Sequence, residues 1–403
     1  MDLSILRLDN VIQPYAWGSN TAIADLLDRP NPHRRPQAEM WMGTHPKGPS
    51  TVVIDGTGLP LQEVIERAPA DVLGGDTARR FDNRLPYLFK VLAADRPLSI
   101  QAHPSKTQAQ AGFERENQAG KALDAPERNY RDPNHKPEII CALTPFWGLN
   151  GFRPAREAAE LLGPVCPPAL ASALGDLKTS GKDAMRTFFV AMLTLSDDQR
   201  QAAFAQIMQR TGPLVDRSPV YRWMHDLARA YPADMGVLSP ALLNLVCLEP
   251  GQAMYLPAGQ LHAYLDGVGI ELMANSDNVL RGGLTPKHVD VPELLKVVRF
   301  EASGIEIVEG KPVRPAEFSY VCPAEEFALS VICTDAGQPY ASPARRSVEI
   351  LLCTSGQGVI EAGGHLSTTV SKGDSFLVPA AMAPYTINGQ VTIYKAAVPP
   401  PAQ

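Results

Sequence analysis

The 403-residue sequence predicts a mainly β protein that also contains helices, and three observations support this fold class. Short apolar runs bounded by Gly and Pro, typical of strands, fill residues 1–150 and return at about residue 246. Between them, residues 151–245 carry helix caps and helical periodicity but almost no strand signals. The G-x5-P spacing of a tight turn occurs at Gly251 and again at Gly373. We therefore predict a helical insert between two β domains, which comprise residues 1–150 with 246–310 and residues 311–403.

Signals for individual elements follow in chain order. LPYLFKVL, residues 85–92, and PLSIQAHP, residues 97–104, are typical of two strands. Ser105, with a Gln three residues later, forms a capping box that predicts a helix to about residue 118. In the insert, Ser196 begins a second capping box, and Ser218 precedes a Pro at the first turn of a further predicted helix.

Composition narrows the class of protein. An apolar content of 45% and a charged content of 20% fit a globular protein. The net charge is −6 and no basic stripe is present, so nucleic acid and membrane surfaces are not expected partners. The N-terminus lacks a signal-peptide pattern, and no apolar run reaches the length of a transmembrane helix. The six cysteines are scattered without a C-x-x-C pair, so we expect reduced thiols in a cytoplasmic protein.

The stretch GQAMYLPAGQLH, residues 251–262, combines a short apolar strand, a tight turn and a histidine. Pro257 fixes φ and Gly259 can adopt φ > 0, so the chain turns back sharply and His262 should begin the next strand, facing inward. The spacing G-x5-P-x-G-x2-H resembles the second conserved motif of the cupins. This resemblance implies two cupin-type, jelly-roll-like β-barrels. The repeat at Gly373 lacks the histidine, which indicates that the second barrel is degenerate and without a metal.

Other motifs make the resemblance more specific. They are QAH at 101–103, HKPE at 135–138 and ANSDNVLRGGLTPK at 274–287, supported by YAWG, AEMWMGTHP, LPYLFKVLA and WGLNGFRP. Together they resemble type I phosphomannose isomerase over roughly the first 150 residues and residues 246–300, in the same order. The region beyond residue 311 matches less specifically. The resemblance implies an aldose-ketose isomerase of mannose metabolism that interconverts mannose 6-phosphate and fructose 6-phosphate.

Four residues of these motifs offer metal ligands. Gln101, His103, Glu138 and His262 supply two imidazole nitrogens and two oxygens, a set that suits a divalent first-row metal with open positions. The resemblance names these four as zinc ligands, which implies one Zn²⁺ per chain. Manganese, cobalt and iron remain alternatives, because an N/O site also binds those metals.

Alternation along strands predicts which further residues lie near the metal. Ser99, Lys136 and Tyr264 each lie two positions from a ligand, so they should share its face of the strand. Glu271 follows an apolar run and should be buried, and a buried carboxylate needs a partner, for which Arg281 is the candidate.

The reaction implied by the resemblance moves a proton between C1 and C2 through a cis-enediolate. It requires a base that takes and returns the proton and cationic groups that stabilise the negative charge. Arg281 resembles the family's active-site arginine, and Lys136, Glu271, Tyr264 and Asp277 resemble its neighbours. Which of them is the base stays open.

No Gly-rich phosphate loop is present, so the substrate phosphate must be held by side chains, and the candidates are Lys90, Ser99 and Lys287. For Lys90, which lies between apolar residues, a position on an edge strand is the alternative.

Two other functions compete with isomerisation. In a cupin dioxygenase, two His and a carboxylate bind Fe(II). Gln101 as a fourth protein ligand argues against this function, because oxygen and substrate need open positions. A non-catalytic sugar-phosphate-binding cupin would leave Lys136, Glu271 and Arg281 without a role. We expect a monomer whose partner is a sugar phosphate.

Overall fold

The computed structural model describes residues 4–54, 57–179, 181, 183–364 and 366–401. Within them the strands form two 11-stranded antiparallel sheets. The strands are β1 Leu6–Asp9, β2 Val11–Gln13, β3 Glu39–Met42, β4 Thr51–Ile54, β5 Thr57–Pro60, β6 Tyr87–Ala94, β7 Ile100–Ala102, β8 Glu138–Ala142, β9 Phe146–Phe152, β10 Leu243–Leu248, β11 Gln252–Leu256, β12 His262–Ala274, β13 Leu280–Gly283, β14 Ile307–Glu309, β15 Lys311–Arg314, β16 Glu317–Tyr320, β17 Ala328–Thr334, β18 Tyr340–Ala341, β19 Glu349–Ala362, β20 Leu366–Ser371, β21 Ser375–Val378 and β22 Tyr385–Ala397.

Helices lie mainly between β9 and β10, and shorter ones flank the strands. They are α1 Ala22–Leu26, α2 Leu61–Arg67, α3 Pro69–Leu73, α4 Gly75–Arg80, α5 Lys106–Gln118, α6 Ala155–Leu162, α7 Ala171–Thr179, α8 Ala184–Leu193, α9 Asp197–Thr211, α10 Pro219–Ala230, α11 Ser239–Leu242 and α12 Val291–Val297, with 3-10 turns at Pro168–Leu170, Gly212–Leu214 and Met235–Leu238. The prediction of a mainly β fold with helices is confirmed.

The N-terminal sheet runs in the order β14-β11-β8-β12-β6-β3-β2. In addition, β7 and β9 pair with β12, β13 pairs with β7, and β10 pairs with β9. The long strand β12 pairs with β6 and β8 along its second half and with β9 and β7 along its first. Gly267 lies at this change of partners with φ of +119°, and a Cβ there would lie 2.6 Å from the carbonyl oxygen of Pro145. Only glycine therefore fits at this point.

The C-terminal sheet combines β15–β22 with three strands from the start of the chain. β1 pairs with β21, β4 pairs with β1, and β5 pairs with β4. This pairing differs from the predicted division, in which residues 1–150 joined only residues 246–310. The cause is that β21 offers an open edge, and a strand's own sequence does not specify which edge it joins.

Both capping boxes are confirmed. The Ser105 side chain accepts from the backbone N–H of Gln108 at the start of α5, and Ser196 accepts from Gln199 at the start of α9. In α10 the residues at helical spacing turn inward, and they share one core with strand residues such as Ile100, Leu149 and Leu265. The helical insert therefore packs against the strands β7, β9 and β12.

A second core joins the two sheets. It packs Met40, Phe89 and Ile139 of the N-terminal sheet with Leu329 and Ile350 of the C-terminal sheet, all of them almost fully buried. Burial of this kind contributes about 1.5–3 kcal/mol per large apolar side chain, so the sheets form a single packed body.

The sequence predicted no membrane-spanning helix and reduced cysteine thiols. None of the helices in the described ranges is long and apolar enough to cross a membrane. All six cysteines lie in the described part of the chain, and all are free thiols, as predicted.

Candidate active site

Three side chains from three strands meet at the metal site predicted from the sequence. His103 directly follows β7, and Glu138 and His262 begin β8 and β12. Glu138 Oε2 lies 3.3 Å from His103 Nε2 and 3.4 Å from His262 Nε2. One ligand atom from each residue falls within 4.8 Å of the others, and all three residues are buried. This spacing lets one ion contact all three.

Hydrogen bonds on the far side of each imidazole fix its orientation. His103 Nδ1 lies 2.8 Å from the carbonyl oxygen of Asn278, and His262 Nδ1 lies 3.0 Å from that of Gln260. A carbonyl oxygen only accepts, so each Nδ1 must carry a proton, and each Nε2 faces Glu138.

The donor set fits a cation. Burial lowers the pKa of His103 to about 4, so this imidazole is neutral at pH 7. His103 Nε2 is buried without a hydrogen-bond donor among the described residues. The neutral imidazole of His103 and the Glu138 carboxylate therefore face each other with no proton between them, an arrangement that is costly unless a metal ion shares it.

Gln101 lies beside this cluster on β7. Its Cα is in register with both His262 and Arg281, and its Nε2 donates to Ser99 Oγ at 3.3 Å. The amide nitrogen is therefore occupied, and the amide oxygen remains the available ligand atom. Gln101 lines the same small cavity, of about 60 Å³, as Glu138 and His262.

Lys136 contacts the carboxylate from the other side, with its Nζ 2.9 Å from Glu138 Oε1. Burial alone would raise the pKa of Glu138, but Lys136 and His103 outweigh it and hold that pKa well below its usual range. Glu138 is therefore ionised, as a ligand carboxylate must be.

Glu271 lies deeper and does not pair with Arg281, so that prediction is wrong. Lys90 Nζ lies 2.7 Å from Glu271 Oε2, and Tyr264 donates its hydroxyl to Glu271 Oε1 at 2.9 Å. The edge-strand alternative for Lys90 is also wrong, since β6 pairs with β12 on one side and β3 on the other. Burial lowers the pKa of Lys90, but Glu271 and Glu39 overcome this and raise it, so Lys90 stays charged.

Sequence reasoning missed a polar chain on β3 and the loop after it. Trp41 Nε1 donates to Glu39 Oε2 at 2.6 Å, and Glu39 lies 3.8 Å from Lys90 Nζ. Beyond Trp41, His45 Nε2 lies 3.3 Å and Lys47 Nζ lies 2.8 Å from the carboxylate of Asp277. The motif AEMWMGTHP had supported the family resemblance, but a sequence motif does not reveal these contacts.

Asp277 therefore has both carboxylate oxygens engaged. Burial opposes its ionisation, but the contacts with His45 and Lys47 hold the pKa of Asp277 well below its usual range. Its carboxylate stays charged and is held at the mouth of the cleft by these two contacts.

A cleft of about 360 Å³ opens above the metal cluster, and cations surround its mouth. Burial lowers the pKa of Arg281, and the positive charge of the neighbouring Arg131 lowers it further. Burial also lowers the pKa of Lys287, and the charges of Arg281 and Arg131 add to this effect. In the described ranges neither Arg281 nor Lys287 has an ion-pair partner within 4.0 Å. The mouth therefore carries uncompensated positive charge, which favours an anionic ligand. Sequence reasoning also missed Arg131.

The residues predicted from the sequence meet around this cleft and the small cavity beside it. They are Lys90, Ser99, Gln101, Lys136, Glu138, His262, Tyr264, Glu271, Asp277, Arg281 and Lys287, with His103 in the adjoining cluster. An aromatic wall completes the cleft, where Tyr15 and Trp17 stack with ring centroids 5.8 Å apart.

Asn278 is a further residue that was not predicted, and it ties two parts of the site together. Its side chain is fully buried. The amide nitrogen donates to the carbonyl oxygens of Asp132 and Asn134 at 2.7 and 2.8 Å, and the amide oxygen accepts from the backbone N–H of Arg131 at 2.7 Å. Its own carbonyl also accepts from His103. Asn278 therefore positions both a candidate ligand and the segment that leads to Lys136.

These features define a cupin-type protein with a buried His/Glu/His cluster at the base of a cationic cleft. The model of the phosphomannose isomerase type I catalytic domain matches residues 5–155, and the model of the mannose-6-phosphate isomerase cupin domain matches residues 317–398. The chain belongs to the type I mannose-6-phosphate isomerase family.

Individual relatives agree over nearly the whole chain. The mannose-6-phosphate isomerase of Escherichia coli K12 is 41% identical over 387 residues, which cover 95% of this chain and 97% of that protein. The human enzyme of the same name is 35% identical, with coverage of 79% and 78%. Among solved structures, a variant of phosphomannose isomerase from Salmonella typhimurium superposes with a TM-score of 0.91 at 36% identity. A zinc-bound mannose 6-phosphate isomerase gives 0.90 at 37%, covering 98% of this chain and 99% of that one.

Proposed function

We propose that this chain interconverts mannose 6-phosphate and fructose 6-phosphate and that it uses zinc. The observation that carries the proposal is the buried His103, Glu138 and His262 cluster, with ligand atoms facing one point, below a cleft with free cations at its mouth. Several family members of known structure, including one solved with zinc bound, have the same overall fold.

Gln101, His103, Glu138 and His262 would hold the zinc ion. When bound, the ion supplies Lewis acidity toward the two sugar oxygens on C1 and C2. The Nε2 atoms of both histidines would face the ion, because the carbonyls of Asn278 and Gln260 hold the Nδ1 protons on the far side.

Proton transfer is assigned to Lys136. Glu271 has both oxygens in hydrogen bonds, with Lys90 and Tyr264, and Asp277 is tied by His45 and Lys47. Lys136 also contacts a carboxylate, that of Glu138, but it lines the cleft beside the metal cluster, so its amine would face a sugar held there. Burial raises the pKa of Glu271, and in this account Lys90 opposes that rise and holds the carboxylate in place.

Lys287 at the mouth would hold the phosphate, whereas Arg281 would stabilise the negative charge that develops on the enediolate. Arg281 and Lys287 lack ion-pair partners among the described residues, and Arg131 adds charge nearby. Lys90 does not suit this role, because it is buried and already paired with Glu271. Ser99 remains a candidate for a hydrogen bond to the substrate, since its hydroxyl lies beside Gln101 in the cleft.

Replacing Lys287 with methionine should raise KM for mannose 6-phosphate and change kcat much less. Loss of a charge-assisted hydrogen bond costs about 1.5–3 kcal/mol, which corresponds to a KM increase of about 10- to 100-fold. Steady-state kinetics provide the check, with Lys311→Met as the control because Lys311 is exposed on the C-terminal sheet. An unchanged KM would mean that the phosphate lies elsewhere.

The direct test of the function is conversion. The purified, zinc-loaded protein should form fructose 6-phosphate from mannose 6-phosphate and should act far more slowly on unphosphorylated mannose. No conversion by a fully metallated sample would overturn the proposal, and oxygen consumption with the same sugars would favour the dioxygenase.

We also propose a cytoplasmic monomer in which residues 151–245 form a helical insert domain packed against the strands. Gel filtration with light scattering tests the oligomeric state.

A further inference from the structure

The four residues before Glu138, residues 134–137, connect the metal cluster with its surroundings. Lys136 turns toward the cluster, where its Nζ lies 2.9 Å from Glu138 Oε1. On the side of the N-terminal sheet, the carbonyl of Asn134 accepts from Asn278 Nδ2 at 2.8 Å and from Ser276 Oγ at 3.2 Å. The segment has no regular secondary structure, so side-chain contacts must fix its position.

His135 turns the other way and meets the C-terminal sheet. Its Nε2 lies 2.6 Å from Oε1 of Glu326, which lies in the connection between β16 and β17. Glu326 does not line the substrate cleft or the small cavity beside it. Consecutive side chains of one segment therefore contact the metal cluster and the opposite sheet.

The burial of Glu326 needs an explanation. The residue is 7% exposed, and its second oxygen, Oε2, is buried without a hydrogen-bond partner among the described residues. Burial would raise the pKa of Glu326, but the contact with His135 lowers it, so the carboxylate remains charged. A buried charge with one close partner contributes little net stability, and an apolar side chain would serve the core as well.

Other contacts already join the sheets without buried charge. Tyr320 donates its hydroxyl to the carbonyl of Gly251 at 3.0 Å, and Tyr87 donates to that of Ala396 at 3.2 Å. Both supplement the shared apolar core. The contact with Glu326 fixes the position of His135, and thereby the position of the next residue, Lys136.

We propose that Glu326 of the C-terminal sheet is a positioning residue for the active site, because it holds His135 and thereby fixes the segment that carries Lys136. The inference rests on the proposed function and gives the C-terminal sheet a part in it. Catalytic geometry is sensitive to displacement, and a shift of about 1 Å in a reacting group can reduce the rate about 100-fold.

The test compares Glu326→Ala, Glu326→Gln and Tyr320→Phe in the zinc-loaded full chain. Glu326→Ala should lower kcat about tenfold with KM and zinc content near those of the unmodified protein. Glu326→Gln keeps an oxygen that accepts from His135 and should recover most of the rate. Tyr320→Phe removes another contact between the sheets without touching residues 134–137, so it should reduce thermal stability and leave kcat unchanged.

A second measurement does not depend on turnover. Hydrogen exchange of the backbone amides of residues 134–136 should accelerate in Glu326→Ala and not in Tyr320→Phe. If Glu326→Ala behaves like Tyr320→Phe in both kcat and exchange, Glu326 is only a structural contact and the inference is wrong. Absence of isomerase activity in the unmodified protein would instead overturn the proposed function, and the exchange comparison would still test the positioning of the segment.

Discussion

Replacing His262 with alanine should abolish both zinc binding and isomerase activity. His262 provides one of two imidazole nitrogens in the cluster, and its Nε2 lies 3.4 Å from Glu138 Oε2. Loss of residues that merely support metal ligands reduces affinity or activity about 10- to 100-fold, so removal of a ligand should cost more. Zinc content by elemental analysis and kcat/KM on the same sample provide the measurement.

The exposed His33 supplies a matched control, since His33→Ala removes an imidazole far from the cluster and should change neither quantity. The ligands come from separate parts of the chain, so bound zinc should also stabilise the fold. His262→Ala should therefore abolish the rise in melting temperature that zinc produces. Stoichiometric zinc in the purified variant would contradict the ligand assignment.

Arg281→Ala should lower kcat about 100- to 1,000-fold with a smaller effect on KM. The guanidinium stays cationic at any working pH, so it suits stabilising the negative charge of an enediolate better than accepting a proton. Since Lys90 and Tyr264 satisfy Glu271, removing Arg281 leaves no buried carboxylate without a partner. The kinetic effect should therefore report on the substrate and not on a disturbed core.

Arg281→Lys tests whether a positive charge alone is sufficient for this role. It retains the charge but loses the planar arrangement of donors, so we expect little recovery of kcat. Both variants need their zinc content measured, because Arg281 is in register with Gln101 on the neighbouring strand. A normal kcat with only a raised KM would assign Arg281 to substrate binding, as already proposed for Lys287.

The local parts of the site were predictable from the sequence because local chemistry determines them. Pro257 and Gly259 fix the turn, and His262 begins β12 as the motif predicted. The period-two spacing also placed Lys136 beside Glu138 and Ser99 beside Gln101, although both residues lie just before the strands β8 and β7. Such predictions depend on residues close together in the chain.

Predictions that depended on strand pairing failed. Arg281 was the predicted partner of Glu271, whereas the actual partner, Lys90, is 181 residues away and directly opposite on the neighbouring strand. Hydrophobic alternation indicates which face of a strand is buried but not which strand lies beside it. For the same reason the joining of β1 to the C-terminal sheet was not foreseen.

Isomerisation by this chain is expected to depend on a metal held by Gln101, His103, Glu138 and His262. The most direct test measures metal content and mannose 6-phosphate isomerase activity of one preparation before chelation, after chelation and after zinc is restored. We predict about one zinc per chain at the start, loss of zinc and activity together on chelation, and recovery of both with zinc. Full activity in a preparation shown to be free of metal would contradict the claim.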